Sequence, residues 1–294
     1  INVNKSQGPD EIHGKLLYEL RSELVKPLTK LYKLSIESGV VPQDWRDANV
    51  APLHKKGSRK KSENYRPVSL TCIVGKILES IIKDSISAHF EKHNLIRNSQ
   101  HGFTRGRSCL TNLLDFFEVV TKELDEGGCV DLIYLDFSKA FDKVPYRRLY
   151  RKLEALGVGG SILQWVQNWL SNRRQRVGID SEYSDWAAVT SGVPQGSVLG
   201  PILFIVYIND LDDNIISKLN KFADDSKLGK GINSLEDVEG LRQDLVKLGK
   251  WSEDWQMQFN TDKCLVMHLG KGNVSREYKI NDSILKESES ERDL

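Results

Sequence analysis

The chain has 294 residues, of which 39% are hydrophobic and 28% charged, and its formal net charge is +1. These values fit one large or two ordinary globular domains and exclude a largely disordered chain. The near-zero net charge gives no whole-chain electrostatic reason to expect a nucleic-acid partner, but residues 51–108 hold twelve Lys and Arg against four Asp and Glu. That basic segment fits either a polyanion-binding surface or an ordinary solvated face.

Several classes of site and location are disfavoured by the residue spacing. The four cysteines form no CxxC pair, which argues against structural zinc and a disulfide framework and suits a reducing compartment. His89 and His93 flank Glu91 in a pattern that is not HExxH, so we interpret them as a solvated helix face. No apolar run approaches the ~20 residues of a membrane span, and no signal peptide is present. The chain begins at Ile1 rather than Met, so we expect a fragment.

The first half of the chain predicts helices around one short strand. Leucines at spacings of three and four predict one amphipathic helix or two over 15–38, with Pro27 as a break or kink. A strand is predicted over 49–53, followed by a mobile basic loop over 54–61. Apolar residues at helical spacing then predict a helix over 73–90.

The second half predicts strands as well as helices. An apolar run over 129–137 predicts a buried strand, short strands follow within 173–191, and another is predicted over 263–268. Residues 278–285 predict a hairpin that turns at Asn281 and Asp282. The predicted helices of this half cover residues 109–125, 146–156, 161–171, 198–212 and 235–257. The last of these is predicted to bury one apolar stripe, which consists of Leu235, Val238, Leu241, Leu245, Leu248, Trp251 and Trp255.

Two adjacent carboxylates, Asp224 and Asp225, lie between flanks over 215–219 and 227–231 that could pair as a hairpin. Adjacent aspartates repel each other unless a cation lies on them. Asp136 ends the predicted buried strand, where an unpaired acid is unfavourable. A divalent metal shared by these acids would explain all three, whereas an ordinary hairpin turn would explain the pair alone.

Basic and glycine-containing segments could supply the partner of such a metal site. Arg66 and the basic loop at a strand boundary suit a triphosphate or a nucleic-acid backbone. Arg105 and Arg107 alternate with glycines and could approach phosphates closely, although a plain connecting loop fits as well. Three acids with these segments fit two-metal phosphoryl transfer, in which Mg²⁺ is bound through oxygen without histidine or cysteine.

Eight ordered blocks, spread over nearly the whole chain, resemble the reverse transcriptase domain of a non-LTR (LINE-type) retrotransposon of the jockey-like and chicken-repeat-like groups. The blocks are Lys5-Ser-Gln-Gly-Pro-Asp10, Asn64-Tyr-Arg-Pro-Val-Ser-Leu70, Gln100-His-Gly-Phe-Thr-Arg-Gly-Arg-Ser108, Leu135-Asp-Phe-Ser-Lys-Ala-Phe-Asp142, Gly192-Val-Pro-Gln-Gly-Ser-Val-Leu-Gly-Pro201, Phe222-Ala-Asp-Asp225, Phe259-Asn-Thr-Asp-Lys263 and Arg292-Asp-Leu294. Their order and spacing match those of the family.

The resemblance implies an α+β fold of the right-hand polymerase type, with fingers and palm and a missing or incomplete thumb. It implies fingers with an N-terminal extension over 1–128 and the first catalytic strand of the palm over 129–145. A connection between fingers and palm would cover 146–190, and the rest of the palm 191–294. The palm would be a small antiparallel sheet backed by helices.

The resemblance also implies a metal centre. Asp136 and Asp224 would hold two Mg²⁺ ions, for which Mn²⁺ is a possible substitute, and Asp225 would support them. The backbone carbonyl of Phe137 would be a further ligand. Lys263 matches a lysine proposed to protonate the leaving pyrophosphate, although a solvated lysine at a strand start fits equally well.

Substrate contacts follow from the same matches. Phe141 would pack against the sugar and reject a 2′-hydroxyl, unless it is only a core residue. Gln195 and Gly196 match the loop at the incoming nucleotide and template. Fingers residues that grip the triphosphate match Arg66 and, less closely, Lys56.

The implied activity is RNA-directed DNA polymerisation, in which a primer 3′-hydroxyl attacks the α-phosphate of a dNTP. The implied partners are an RNA template, a DNA primer or target DNA and dNTPs, and the implied location is the nucleus, although no targeting signal is visible. Phe222 replaces the Tyr that is commoner in the family, and Glu11 replaces a Gly. Loss of the Tyr hydroxyl keeps the ring, so we expect activity to survive.

Three other interpretations stay open. A decayed, inactive fragment would at most bind nucleic acid. Another two-metal enzyme, such as a nuclease, would need no dNTPs but would give no reason for the Gln195 loop. An RNA-dependent RNA polymerase would use the same fold, and Phe141 argues against it. The sequence leaves the oligomeric state undetermined.

Overall fold

The computed structural model describes residues 2–180 and 182–291, so the block at 292–294 lies outside the described residues. The chain forms two compact units, each built from two chain segments. The first unit comprises Ile1–Leu95 and Val144–Leu203, and the second comprises Ile96–Lys143 and Phe204–Leu294. The fingers and palm boundaries given by the resemblance stay predictions.

The helices agree closely with the apolar periodicity of the sequence. In the described part of the chain, no helix is long and apolar enough to cross a membrane. The helices are α1 Gly14–Glu19, α2 Arg21–Ser38, α3 Gln43–Arg46, α4 Ile73–His93, α5 Cys109–Asp125, α6 Ala140–Lys143, α7 Tyr146–Ala155, α8 Gly160–Leu170, α9 Gly200–Tyr207 and α10 Leu235–Trp255.

Most strands are short, and the longer ones carry the two main sheets. A single 3₁₀ turn at Ser62–Asn64 precedes the second strand. The strands are β1 Asp47–His54, β2 Tyr65–Leu70, β3 Val130–Leu135, β4 Arg173–Ile179, β5 Glu182–Tyr183, β6 Ala187–Val189, β7 Lys218–Phe222, β8 Asp225–Gly231, β9 Leu265–Leu269, β10 Lys279–Ile280, β11 Ser283–Ile284 and β12 Lys286–Glu287.

The first unit contains a mixed sheet with the order β2-β1-β4-β5, and β6 also pairs with β4. β1 runs antiparallel to β2 and parallel to β4. The helical part of this unit has an aromatic core, in which the buried rings of Trp165 and Trp169 stack with centroids 6.2 Å apart. Leu78 and Ile82 of α4 are also buried, which explains the apolar spacing of that helix.

The second unit contains a sheet with the order β12-β9-β3-β8-β7. β3 lies at its centre and pairs antiparallel with β8 on one side and β9 on the other. β3 is buried on both faces, so its sequence is mostly apolar rather than alternating, and the exception, Asp131, is buried with hydrogen bonds to His268 and Tyr278. Phe116 and Val120 of α5 form a hydrophobic cluster with Val130 and Leu132 of this strand.

Four details differ from the sequence predictions. The N-terminal helical region divides at Leu20, and Pro27 lies inside α2, where its ring removes one backbone hydrogen bond without ending the helix. α9 ends at Tyr207 rather than continuing to residue 212. The sheet of the second unit, which contains the strands predicted for the palm, is not wholly antiparallel, because β12 runs parallel to β9.

The fourth difference concerns the apolar stripe of α10. Val238, Leu241, Leu245 and Leu248 are buried as predicted. Leu235, the first residue of the helix, is 78% exposed. A residue in the first turn can project beyond the sheet that covers the rest of the stripe, so periodicity alone overestimates the core at a helix end.

This contrast within one helix gives a matched test of the core. We expect Leu248→Ala to lower the free energy of unfolding by about 2–5 kcal/mol, because it leaves a cavity. Leu235→Ala should change it by less than about 0.5 kcal/mol, because the side chain is already exposed. Denaturant unfolding of both variants measures the difference, and equal losses would contradict the placement of α10.

Candidate active site

The register of β3 against β8 brings the predicted acids to one edge of the second unit's sheet. It runs from Val130 opposite Gly231 to Leu135 opposite Ser226. Continued by one residue, it places Asp136 opposite Asp225. The residue that follows the buried strand and the pair in the turn therefore lie at the same end of the paired strands, although the chain between them is long.

The turn itself is tight. Phe222 pairs with Asp225 and closes the β7–β8 hairpin, so Ala223 and Asp224 are the two turn residues. Ala223 is buried and has a positive φ of 55°. Asp224 is half-buried and Asp225 is exposed. The strands begin at residues 218 and 225, so β8 starts at the second acid rather than at Lys227.

Lys263 lies against Asp136. Its Nζ is 2.6 Å from Asp136 Oδ2, and the two side chains are 49% and 21% exposed. The backbone explains the approach, because the Asn260 N–H donates to the Asp136 carbonyl at 2.7 Å and the Ser138 N–H donates to Gln258 at 2.9 Å. The segment before β9 is thus fastened to the end of β3, which brings a cation to the carboxylate edge.

The backbone of Phe137 faces the turn. Phe137 pairs with Phe259 in an antiparallel bridge whose hydrogen bonds are made by the residues on either side. In such a non-hydrogen-bonded pair, the N–H and C=O of Phe137 point to the opposite side of the strand. The β7–β8 hairpin lies on that side, and the role of this carbonyl as a metal ligand stays a prediction. The Phe137 ring stacks on Phe259 at 4.5 Å.

Phe141 lies on the short helix α6 with its ring stacked on Phe204. The ring centroids are 4.4 Å apart and the planes differ by 19°. Phe204 is fully buried and Phe141 is half-buried. The sequence analysis missed Phe204, which is one apolar residue among many in α9. Its packing restricts the Phe141 ring to one orientation.

The two loop arginines have different environments. Arg105 is exposed. The Arg107 guanidinium donates to the Asn98 carbonyl at 2.7 Å and to Asn98 Oδ1 at 3.1 Å. Arg107 therefore contributes to the structure of its own loop, and its predicted contact with nucleic acid stays a prediction.

The remaining predicted site residues belong to the first unit. Lys56 lies in the exposed loop after β1, and Arg66 is exposed on β2 opposite Leu53. The Gln195 carbonyl accepts a hydrogen bond from the Ser69 N–H at 2.7 Å, so the Gln195 loop is fastened to the strand that carries Arg66.

Gly196 follows in a conformation that favours glycine, with φ of +103°. A Cβ added there would lie 2.7 Å from the Ser69 carbonyl oxygen, which is closer than real Cβ contacts. Glycine at this position therefore permits the close approach of the loop to β2.

A buried carboxylate that the sequence analysis missed supports the same loop. Glu79 Oε2 accepts hydrogen bonds from the N–H groups of Val198 at 2.7 Å and Leu199 at 3.2 Å. Burial raises the pKa of Glu79, and the two N–H donors and the nearby Arg173 oppose that rise. The available signal was a carboxylate on the apolar face of a predicted helix, which is unusual without a partner.

The donor set at the sheet edge is chemically suited to Mg²⁺. It consists of three carboxylates and one carbonyl, all hard oxygen donors. As placed, no three His, Cys, Asp or Glu side chains within residues 2–180 and 182–291 are grouped to hold a metal ion. The backbone brings the acids to one edge, and side-chain rotation would be needed to converge them.

Residues 54–289 match the family model described as reverse transcriptase (RNA-dependent DNA polymerase). The chain belongs to this reverse transcriptase family. The match includes every predicted site residue from Lys56 to Lys263, and it confirms the resemblance recognised from the sequence blocks.

Curated members of the family include two similar proteins of Drosophila melanogaster. The first, "Probable RNA-directed DNA polymerase from transposon BS", is 27% identical over 275 residues, which cover 90% of this chain and 30% of that protein. The RNA-directed DNA polymerase from mobile element jockey is 26% identical over 274 residues, with the same coverage of 90% and 30%. The chain thus spans about 30% of the length of these relatives.

A solved structure supports the fold. Apo telomerase from Candida Tropicalis, truncated from the C-terminal domain, aligns with a TM-score of 0.58 over 90% of this chain and 60% of that chain. Sequence identity is 10%, so the likeness concerns the fold alone. The α+β right-hand polymerase fold predicted for this reverse transcriptase domain is confirmed.

The Gln195 loop gives a test of its backbone geometry. We expect Gly196→Ala to lower the free energy of unfolding by about 1–3 kcal/mol, because Ala is strained at that φ and meets Ser69. Gly159→Ala is the control, because Gly159 has an extended backbone and open space at its Cβ. Because Gly159 is the N-cap of α8, where Gly is preferred to Ala, this control should lower the free energy of unfolding by only about 0.5–1 kcal/mol in the same denaturant measurement. Equal costs would contradict the close approach at Gly196.

Proposed function

We propose that this chain is the catalytic part of an RNA-directed DNA polymerase that adds dNTPs to a primer 3′-hydroxyl on an RNA template. The observation that supports the proposal is the β3–β8 register, which would bring Asp136 opposite Asp225 if it continued by one residue. Membership of the reverse transcriptase family supports the same reaction. The activity is a proposal because the chain spans about 30% of its curated relatives.

The metal-binding group in this proposal is Asp136, Asp224, Asp225 and the Phe137 carbonyl. Two bound divalent ions, Mg²⁺ or Mn²⁺, supply activation of the attacking hydroxyl oxygen and stabilisation of the leaving oxygen. The protein's part is to hold these acids at one edge, where their mutual repulsion favours binding of cations.

Lys263 is proposed to donate a proton to the leaving pyrophosphate. Its ammonium lies 2.6 Å from Asp136, at the same edge as the acids. Because the Lys263 ammonium already lies beside Asp136, rotation of its side chain would be enough for it to contact an oxygen of the leaving pyrophosphate. Its backbone is fixed by the bonds between β3 and the segment before β9.

Nucleotide and template contacts are proposed for further residues that the family resemblance matches. The cations Lys56 and Arg66 would bind the triphosphate, with Arg66 able to make paired hydrogen bonds to phosphate oxygens. The loop at Gln195 and Gly196 would contact the nucleotide and template. Arg105 would bind the nucleic-acid backbone, which makes that part of the affinity dependent on salt.

Phe141 is proposed to select the sugar. Its ring is held by the stack on Phe204, so it cannot readily move aside for an added 2′-hydroxyl. A rigid apolar wall discriminates against an extra hydroxyl by steric exclusion and by leaving that hydroxyl without a hydrogen-bond partner. DNA synthesis rather than RNA synthesis follows from this residue.

The further partners in this proposal are a DNA primer or target DNA, and the proposed place of action is the nucleus. The relatives are described as polymerases of a transposon and of a mobile element. For this chain, we propose that DNA synthesis would serve the integration of a retrotransposon copy.

The test is primer extension on an RNA template with Mg²⁺ and dNTPs. We expect Asp224→Ala and Asp136→Asn each to reduce extension by at least about a thousandfold, because a metal ligand is worth several kcal/mol in the transition state. Asp282→Ala is the matched control, since Asp282 is an exposed aspartate in the turn of the β10–β11 hairpin. Its extension rate should equal that of the unsubstituted chain.

Other outcomes would replace the proposal. Cleavage of nucleic acid without dNTPs would indicate a nuclease, and extension with NTPs in preference to dNTPs would indicate an RNA polymerase. Folded protein that binds RNA in a salt-sensitive way but never extends a primer would indicate a binding module.

The sugar-selecting role gives a separate prediction. We expect Phe141→Val to reduce the preference for dNTPs over NTPs by roughly tenfold to a hundredfold, because it opens space for the 2′-hydroxyl. The measurement is kcat/KM for each nucleotide type. Phe116→Leu controls for a general loss of packing, because Phe116 lies in the hydrophobic cluster with Val130. An unchanged preference in Phe141→Val would show that Phe141 is only a core residue.

A further inference from the structure

The segment at Ser99–Gly102 lies along β7 up to the catalytic turn. The Lys221 N–H donates to the Ser99 carbonyl at 2.7 Å, and the His101 N–H donates to the Lys221 carbonyl at 2.8 Å. Gln100 pairs with Lys221 in a parallel bridge. The segment at Ser99–Gly102 therefore pairs with β7, the outermost strand of the sheet, close to the turn that contains Asp224.

Gln100 connects this segment directly to the turn. Its side chain is fully buried, and Oε1 accepts hydrogen bonds from the N–H groups of Gly102 at 2.8 Å and Ala223 at 3.0 Å. Ala223 immediately precedes Asp224 and has φ of +55°. Positive φ is unfavourable for alanine because its Cβ crowds the backbone. The hydrogen bond from the Ala223 N–H to Gln100 therefore helps to stabilise this conformation.

Gly102 brings the two segments into contact. A Cβ on Gly102 would lie 2.5 Å from the Ala223 nitrogen and 3.0 Å from the Phe222 carbonyl carbon. Both atoms are backbone and cannot move aside without shifting the turn. The absence of a side chain at residue 102 is thus what lets Gln100 reach Ala223.

The side chain of Lys221 holds β7 against residues 209–212. Its side chain is fully buried, and Nζ donates to the Asn209 carbonyl at 3.0 Å and to Asp212 Oδ1 at 2.9 Å. Asp212 also accepts a hydrogen bond from Ser99 Oγ at 2.7 Å. One carboxylate therefore connects β7 and the Gln100 segment, and the last residues of β7 have little freedom to move.

We infer that Gln100 is a positioning residue, which holds Ala223 in its left-handed conformation and so directs Asp224 and Asp225 to the edge that carries Asp136. The inference deepens the proposed function and rests on it for the catalytic consequence. It assigns the Gln100 block a role in the metal centre rather than only in binding nucleic acid.

The chemistry of the side chain defines the informative variants. Gln100→Met keeps the size and removes the acceptor oxygen. Gln100→Glu keeps an acceptor oxygen and replaces Nε2, for which no hydrogen-bond partner is found among the described residues, with a second carboxyl oxygen, and burial favours the neutral form of that carboxyl group. Asp244→Leu is the matched control, because Asp244 is also fully buried and accepts the N–H groups of Ile216 and Ser217, next to the other end of β7.

The first measurement is hydrogen exchange of the Ala223 amide, which needs no activity. We expect Gln100→Met to speed exchange roughly tenfold, the equivalent of one lost buried hydrogen bond, while Gln100→Glu stays near the unsubstituted rate. Asp244→Leu should leave the Ala223 amide protected. Unchanged exchange in Gln100→Met, or equal acceleration in Asp244→Leu, would overturn the inference.

The second measurement is the Mg²⁺ concentration for half-maximal primer extension. Gln100→Met should raise it roughly tenfold, with the affinity for RNA unchanged, and Gln100→Glu should restore most of it. Asp244→Leu should lower stability without this shift. A loss of RNA affinity with an unchanged Mg²⁺ dependence would instead assign Gln100 to nucleic-acid binding and overturn the inference.

A second-site change tests the mechanism even where Gln100→Met folds poorly. In an Ala223→Gly background, the left-handed conformation no longer needs support, because glycine adopts positive φ freely. Gln100→Met should then fold and have a several-fold smaller effect on the Mg²⁺ dependence. An undiminished effect would contradict the role of Ala223. If the unsubstituted chain extends no primer, the proposed function fails, and the exchange measurement still decides the role of Gln100.

Discussion

The antiparallel pairing of β3 with β8 is the interaction on which the candidate site depends. Carboxylates repel one another, so they do not assemble by mutual attraction, and a rigid backbone must bring them together. Here the ladder of backbone hydrogen bonds does so, with β3 at the centre of its sheet and Asp136 at its end. A slip of one residue would turn each side chain to the opposite face, so the buried apolar residues of β3 also determine where the acids lie.

Buried polar side chains then hold the irregular backbone next to these paired strands. Gln100 and Lys221 are both fully buried, an expensive location unless their hydrogen bonds are made. Burial lowers the pKa of Lys221, and the Asp212 carboxylate opposes that shift. Glu79 has the corresponding role in the first unit, where it accepts two N–H groups beyond the Gln195 loop. In both units, a buried polar side chain accepts hydrogen bonds from backbone N–H groups that lie outside regular strand or helix pairing.

The sequence by itself determined the family, the order of elements and the chemistry of the acids. Apolar periodicity identified α4, α5 and α8 because each helix buries one face. The mostly apolar sequence of β3, interrupted by Asp131, identified a strand buried on both sides. Ordered blocks along the chain identified the reverse transcriptase family, because residue types that chemistry requires recur at fixed places in the sequence. The roles proposed for individual site residues follow from that family match.

Only the tertiary structure decided which distant residues contact the predicted site residues and the turn that contains Asp224. The stacking of Phe204 on Phe141, the contact of Lys263 with Asp136 and the bond from Ala223 to Gln100 each join segments far apart in sequence. No local pattern identifies these contacts, since a glutamine in a loop or a phenylalanine in an apolar helix has many possible partners. Leu235 shows the same limit, because it follows the helical spacing of the buried stripe and is nevertheless 78% exposed. Periodicity reports which face of an element is apolar, whereas packing decides what that face meets.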